Sequence, residues 1–164
     1  MIPVRDRQAH APDLFLGAYL VKSPEDHELV GFVCSSLNPS QTLTLDSMAN
    51  HVPGSSSICL YSVNIAPAHR RKGIASALMR EYISRISAAG LYDRILLITH
   101  EELRSFYESL GFEFVGQSSV ELGSRPWYEM RKILPRSVDE SICTSVSIPV
   151  VPTDCGHTGH VQTN

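Results

Sequence analysis

The stretch His69-Arg70-Arg71-Lys72-Gly73-Ile74-Ala75 constrains this chain most, because of what lies on either side of it. Before it runs an apolar segment over residues 58–65. After it, Leu78, Tyr82 and Ile86, with Met79 and Ile83 beside them, recur at helical spacing. A strand that turns through a basic, glycine-containing loop into a helix makes an anion cradle. The first N–H groups of a helix have no carbonyl partners within it, and the aligned peptide dipoles add partial positive charge there. Gly73 and Ala75 leave room for a diphosphate to approach the backbone, while Arg70, Arg71 and Lys72 supply flanking charge. The pattern is not a nucleoside-triphosphate loop, which needs a second glycine followed by Lys-Ser/Thr, nor the GxGxxG dinucleotide turn. From these residues alone, a basic turn capping an ordinary helix is the competing reading.

The rest of the chain predicts the sheet around that cradle. Residues 14–21 and 29–34 read as a hairpin about the polar turn 23–27, with Gly31 a candidate bulge. Residues 38–57 read as a Ser/Pro/Asn-rich loop holding one helical turn near 43–48, and 58–65 as the third strand. The cradle helix is expected to end at Gly90. The continuous apolar run 94–99 suits a central strand covered on both faces. A short helix over 102–110, stopped by Gly111, precedes a final strand pair, 112–115 and 127–133. This order predicts an α/β (α+β) domain over 1–135 with a mixed sheet. Residues 136–164, dominated by Ser, Thr, Val and Pro without periodicity, are expected to be a disordered tail.

A hydrophobic fraction of 43% with 19% charged residues fits a globular protein of one domain. Net charge −3 and a pI near 6.1 argue against nucleic acid as the partner. The local basic cluster suits a small polyanion instead. No apolar run approaches the ~20 residues that span a bilayer, so no membrane association is expected. The N-terminus lacks the apolar stretch of a secretory signal. Cys34, Cys59, Cys143 and Cys155 show no close pairing, which predicts free thiols and a cytoplasmic location. Cys155, His157 and His160, even with Cys143, match no zinc spacing, so no metal is expected.

A second motif follows the predicted central strand: Glu101-Glu102-Leu103-Arg104-Ser105-Phe106-Tyr107-Glu108-Ser109-Leu110-Gly111-Phe112. With Arg70-x-x-Gly73-x-Ala75, it resembles the paired signatures of the GNAT superfamily of N-acetyltransferases, the first being the acyl-CoA motif Q/R-x-x-G-x-G/A. Leu14-Phe15-Leu16-Gly17 and Trp127-Tyr128-Glu129-Met130 make the chain similar to the arylalkylamine (serotonin-type) branch and its fungal polyamine-acetylating relatives. The resemblance covers about residues 12–133. It implies a mostly antiparallel sheet with flanking helices, lacking the usual N-terminal strand and helix pair. It implies acetyl-CoA as co-substrate and a small primary amine as partner. The backbone of Val63, Asn64 and Ile65 would bond the pantetheine arm, and Arg70, Arg71, Lys72, Gly73, Ile74, Ala75 and Ser76 would hold the pyrophosphate. Tyr107 falls at the family's tyrosine beside the thioester sulfur, where a phenol assists the departing thiolate. Packing alone is the other role open to it.

The base is less conspicuous. An alkylammonium with pKa ~10.4 is neutral in only about one molecule in 2,500 at pH 7, so something must accept its proton. The arylalkylamine enzymes are similar in carrying histidine on the strand before the cradle, but Cys59 and Tyr61 stand there, and neither is a good base at neutral pH. His100, at the end of the central strand, is the substitute, with Glu101 to orient its ring. An ordinary strand-end histidine is the alternative reading. His69 is expected to flank phosphate, and His51 to sit in a loop lining the acceptor side. A catalytically weak or inactive acyl-CoA-binding relative is the alternative function. Acetylation of peptides would need a groove that nothing in the sequence marks.

Overall fold

The computed structural model describes residues 8–135; the expected tail and its Cys143, Cys155, His157 and His160 lie outside the described residues. Six strands form one sheet: β1 (Phe15–Val21), β2 (His27–Asn38), β3 (Ser57–Ile65), β4 (Arg94–Thr99), β5 (Glu113–Gln117) and β6 (Tyr128–Ile133). Their spatial order is β1-β2-β3-β4-β6-β5. Only β3 and β4 are parallel; every other neighbouring pair is antiparallel. The helices that bear on the site are α1 (Leu45–Ala49), α2 (Ile74–Ala89) and α3 (Arg104–Glu108). Among the described residues no helix is long and apolar enough to cross a membrane.

The sheet is covered on both sides. The crossover helix α2 buries Leu78, Met79, Tyr82 and Ile86 against Val33, Ile58, Leu60, Ile95, Leu97 and Met130. Full burial of an aliphatic side chain such as Leu78 or Ile86 contributes about 1.5–3 kcal/mol. The opposite face carries a smaller cluster, Leu43, Cys59, Leu96 and Val120, with Met48, Ile98 and Leu122 packed on it. Two loops supply that cover, one before β3 and one between β5 and β6. Alternate residues of β4 enter the two clusters, which is why its sequence reads as unbroken apolar.

Several boundaries differ from the sequence reading, each for a local reason. β2 continues to Asn38 because Ser35 and Ser36, polar but buried, have specific partners. The Tyr82 hydroxyl donates to Ser35 Oγ at 2.8 Å, and Ser36 Oγ donates to the Ser47 carbonyl at 3.4 Å. The helix expected over 102–110 divides into a 3-10 turn, Glu101–Leu103, and the shorter α3. Phe112 lies just before β5 and Trp127 just before β6. The bulge near Gly31 falls one residue away. Ala18 pairs with Gly31 and Tyr19 with Leu29, which leaves Val30 as the extra residue. Gly31 meets another constraint: a Cβ there would lie 2.9 Å from the Asn64 carbonyl oxygen, so only glycine lets β3 approach.

Candidate active site

The site begins where β3 and β4 part. They pair at Ser57–Arg94, Ile58–Ile95 and Cys59–Leu96, and there the pairing stops. A second bulge sits beside that point: Cys34 pairs with Ser62 and Ser35 with Leu60, which makes Tyr61 the extra residue. An extra residue bends its strand. Beyond it Val63, Asn64 and Ile65 pair with Val33, Phe32 and Gly31 along one edge and with no strand along the other. A row of backbone groups therefore faces an open slot.

At the end of β3 the chain makes the cradle. Arg71 has φ 61 and Gly73 has φ 76, two left-handed residues within one turn. For a non-glycine such as Arg71 that conformation carries a backbone strain of roughly 1–3 kcal/mol, the kind held at ligand sites. Gly73 is the N-cap of α2, and no side chain caps it. The first intrahelical bond runs from the Ala77 N–H to the Gly73 carbonyl at 3.0 Å, which leaves the N–H groups of Ile74, Ala75 and Ser76 ahead of it. The space over Gly73 is empty to 4 Å from a built Cβ. Two basic side chains fold back to stiffen the turn. Arg70 Nε donates to the Ile65 carbonyl at 2.9 Å, and Lys72 Nζ to that of Ala68 at 3.0 Å. His69, expected to flank phosphate, instead lies 3.7 Å from the Glu28 carboxylate on β2.

Tyr107 sits on α3 and is buried, its ring edge-on to Phe106 and Phe112 at centroid distances of 5.0 and 5.7 Å. Burial pushes its phenol up to about 12, so it is fully protonated at neutral pH. No group among the described residues hydrogen-bonds its hydroxyl.

His100 stands at the end of β4. Its Nδ1 lies 3.0 Å from the Pro126 carbonyl. A carbonyl only accepts, so Nδ1 carries the proton and a neutral ring has its lone pair on Nε2. The ring also lies against Trp127, with centroids 3.9 Å apart. Trp127 is fixed in turn by its indole N–H, which donates to the Leu122 carbonyl at 2.8 Å. Glu101 does not orient the ring as expected: its carboxylate is 3.6 Å from the Arg104 guanidinium. The neighbouring Glu102 is bidentate with Arg125, at 2.7 and 2.8 Å.

Beside the splay is a cavity of about 260 Å³ lined by Met48, Leu60, Tyr61, Ser62, Ile98, Leu122 and Trp127. Sequence reasoning left Met48 and Leu122 unassigned, because loops distant in sequence bring them there. Cys59 is buried beneath this region, and burial raises its thiol to about 11, so at neutral pH it is neither base nor nucleophile. His51 accepts the Leu37 N–H on Nδ1 at 3.1 Å and anchors the first loop instead of lining the cavity. A larger cavity, about 400 Å³, lies between Phe15, Tyr82 and Tyr92 and holds none of the predicted site residues. No group of three His, Cys, Asp or Glu side chains is placed to hold a metal among the described residues.

The solved structure of Ard1 from Thermoplasma volcanium shares this fold, with a TM-score of 0.59 over 81% of this chain and 78% of that one, at 20% identity. The sequence profile of the Acetyltransferase (GNAT) family matches residues 3–112, and the chain belongs to that family, which uses acyl-CoA as co-substrate. Serotonin N-acetyltransferase of Mesocricetus auratus is 30% identical over 120 residues, 73% of this chain and 56% of that enzyme. The Homo sapiens enzyme is 27% identical over 119 residues, 73% of this chain and 55% of its own length. The chain thus spans little more than half the length of these relatives.

Proposed function

We propose that this chain transfers an acetyl group from acetyl-CoA to the primary amine of a small arylalkylamine or polyamine by direct attack, without a covalent enzyme intermediate. The observation that carries the reading is the end of β3–β4 pairing at Cys59–Leu96. It opens one slot with an anion cradle at one end and an amine-sized cavity at its flank. The uncapped N–H groups of Ile74, Ala75 and Ser76 hold the diphosphate, and Val63, Asn64 and Ile65 align the arm along β3. Acetyl-CoA brings an activated thioester. Holding amine and thioester together supplies much of the rate.

His100 Nε2 takes the ammonium proton, directly or through one water, while Pro126 and Trp127 fix the ring. Tyr107 gives a hydrogen bond to the departing sulfur. At about 12 its phenol lies above a free thiol's ~8.5, so sharing the proton is easier than surrendering it. The cavity lining is apolar and aromatic and includes no carboxylate, which favours an arylalkylamine over a polyamine. The competing reading, an acyl-CoA-binding relative with little catalysis, draws on Cys59 and Tyr61 standing where related enzymes carry histidine.

Incubating the purified chain with acetyl-CoA and a mixed panel of arylalkylamines and polyamines, with products read by mass spectrometry, tests this. An acetylated arylalkylamine is the expected product; no product from a folded chain that still binds CoA establishes the binder. Replacing His100 by Gln should lower kcat/KM roughly 100-fold at neutral pH, the lower end of general-base effects. The deficit should shrink as pH approaches ~10.4, where the amine arrives already neutral. A deficit that stays constant with pH removes His100 from the proton path.

A further inference from the structure

One buried charge is not used by this mechanism. Among the described residues Glu129, on β6, is the single buried side chain of Asp, Glu, Lys, Arg or His type, 7% exposed. Its Oε1 accepts the Leu43 N–H at 3.2 Å, across 86 positions of sequence. In register it sits opposite Ile98, which lines the amine cavity, and opposite Gly116, which has no side chain to cover it. Desolvation raises its carboxyl and the Leu43 amide lowers it, so the bond stabilises the charged form.

Leu43 leads directly into α1. Thr44 caps that helix: its hydroxyl accepts the Ser47 N–H at 3.1 Å, and Ser47 Oγ accepts the Thr44 N–H at 2.8 Å. Ser47 is tied to β2 through Ser36. Met48, the next residue, is a wall of the cavity. A path of one short helix therefore leads from the Glu129 carboxylate to a side chain that lines the cavity.

Resting on the reading that this cavity takes the amine, we propose that Glu129 is the positioning residue of the acceptor site. It clamps the Leu43 amide and so sets where α1 presents Met48. Without the clamp, a fraction of molecules holds α1 out of place, and the apparent affinity for amine falls by that fraction. The cradle, on the far side of the slot, is untouched.

Steady-state kinetics of Glu129→Leu, Glu129→Gln and Met48→Ala, singly and combined, test the clamp. Glu129→Leu should raise the amine KM about tenfold, the factor that one buried amide without a partner is worth. Glu129→Gln keeps an acceptor oxygen but loses the charge, and should raise it about threefold. In both, the KM for acetyl-CoA and kcat should stay within about twofold. Combined with Met48→Ala, either substitution should add little, because the two act on one wall. If Glu129→Leu does not fold, the graded Glu129→Gln effect decides alone. Equal rises in both KM values, or none, overturn the proposal, as do effects that multiply with Met48→Ala. A native chain that acetylates no amine defeats the functional reading and this inference with it. An active chain indifferent to Glu129 defeats this inference alone.

Discussion

Gly73→Glu is expected to weaken CoA binding about 100-fold while leaving the domain folded, the free-energy equivalent of ~2.7 kcal/mol. Gly73 sits at φ 76 as the N-cap of α2, with nothing within 4 Å of a built Cβ, so the new side chain meets no protein atom. What it meets is the diphosphate. A carboxylate about 4 Å from a phosphate charge costs between ~1 kcal/mol at water's dielectric and ~4 kcal/mol near a protein surface. It also neutralises the positive end of the helix that makes the site. The left-handed backbone adds strain of ~1–2 kcal/mol for any L side chain, felt with or without ligand. Gly73→Ala separates the two effects, because it carries the strain without the charge. Titration calorimetry with CoA should find the alanine variant much nearer the native chain than the glutamate variant. Native-like binding by Gly73→Glu would place the diphosphate elsewhere.

The cradle was legible because it is local. Its glycine, basic residues and following helix lie within twenty positions, and chain geometry alone turns that string into an orphaned helix N-terminus. β4 was legible for a similar reason: the four consecutive apolar residues 95–98 suit a strand covered on both faces. The acceptor side was not legible. Met48, Leu122 and Trp127 come from two loops that meet only across the finished sheet, and no periodicity in the sequence pairs them. His100 shows the same limit. Its place at a strand end could be read, but its orienting partners are Pro126 and Trp127, not the adjacent Glu101, whose charge is drawn to Arg104. In the sequence Glu129 stands out only within Trp127-Tyr128-Glu129-Met130. Its burial appears only once Leu43 folds over it, a contact between residues 86 positions apart.

Tyr107→Phe should lower kcat about 100-fold, the usual loss when one donor to developing negative charge is removed. Folding stability and CoA affinity should change little. The ring contacts with Phe106 and Phe112 do not involve the hydroxyl, and no described group is left unpaired when it goes. Deleting a hydroxyl with no protein partner is close to neutral for the fold. A side chain present only for packing predicts no change in kcat, so rapid-quench measurement of a single turnover separates the roles. Alkaline unfolding supplies a control on the hydroxyl's burial. The unfolded phenol ionises near ~10, the folded one only at about 12. Its contribution to stability is therefore complete below the lower value and lost as pH rises through the upper one, because the unfolded chain releases its proton first. Tyr107→Phe should lack that component of the alkaline decline while retaining the part due to Tyr82, whose phenol burial raises in the same direction. If kcat falls and this component disappears together, one phenol is both held in the folded interior and used by the reaction, which is what a donor to the leaving sulfur requires.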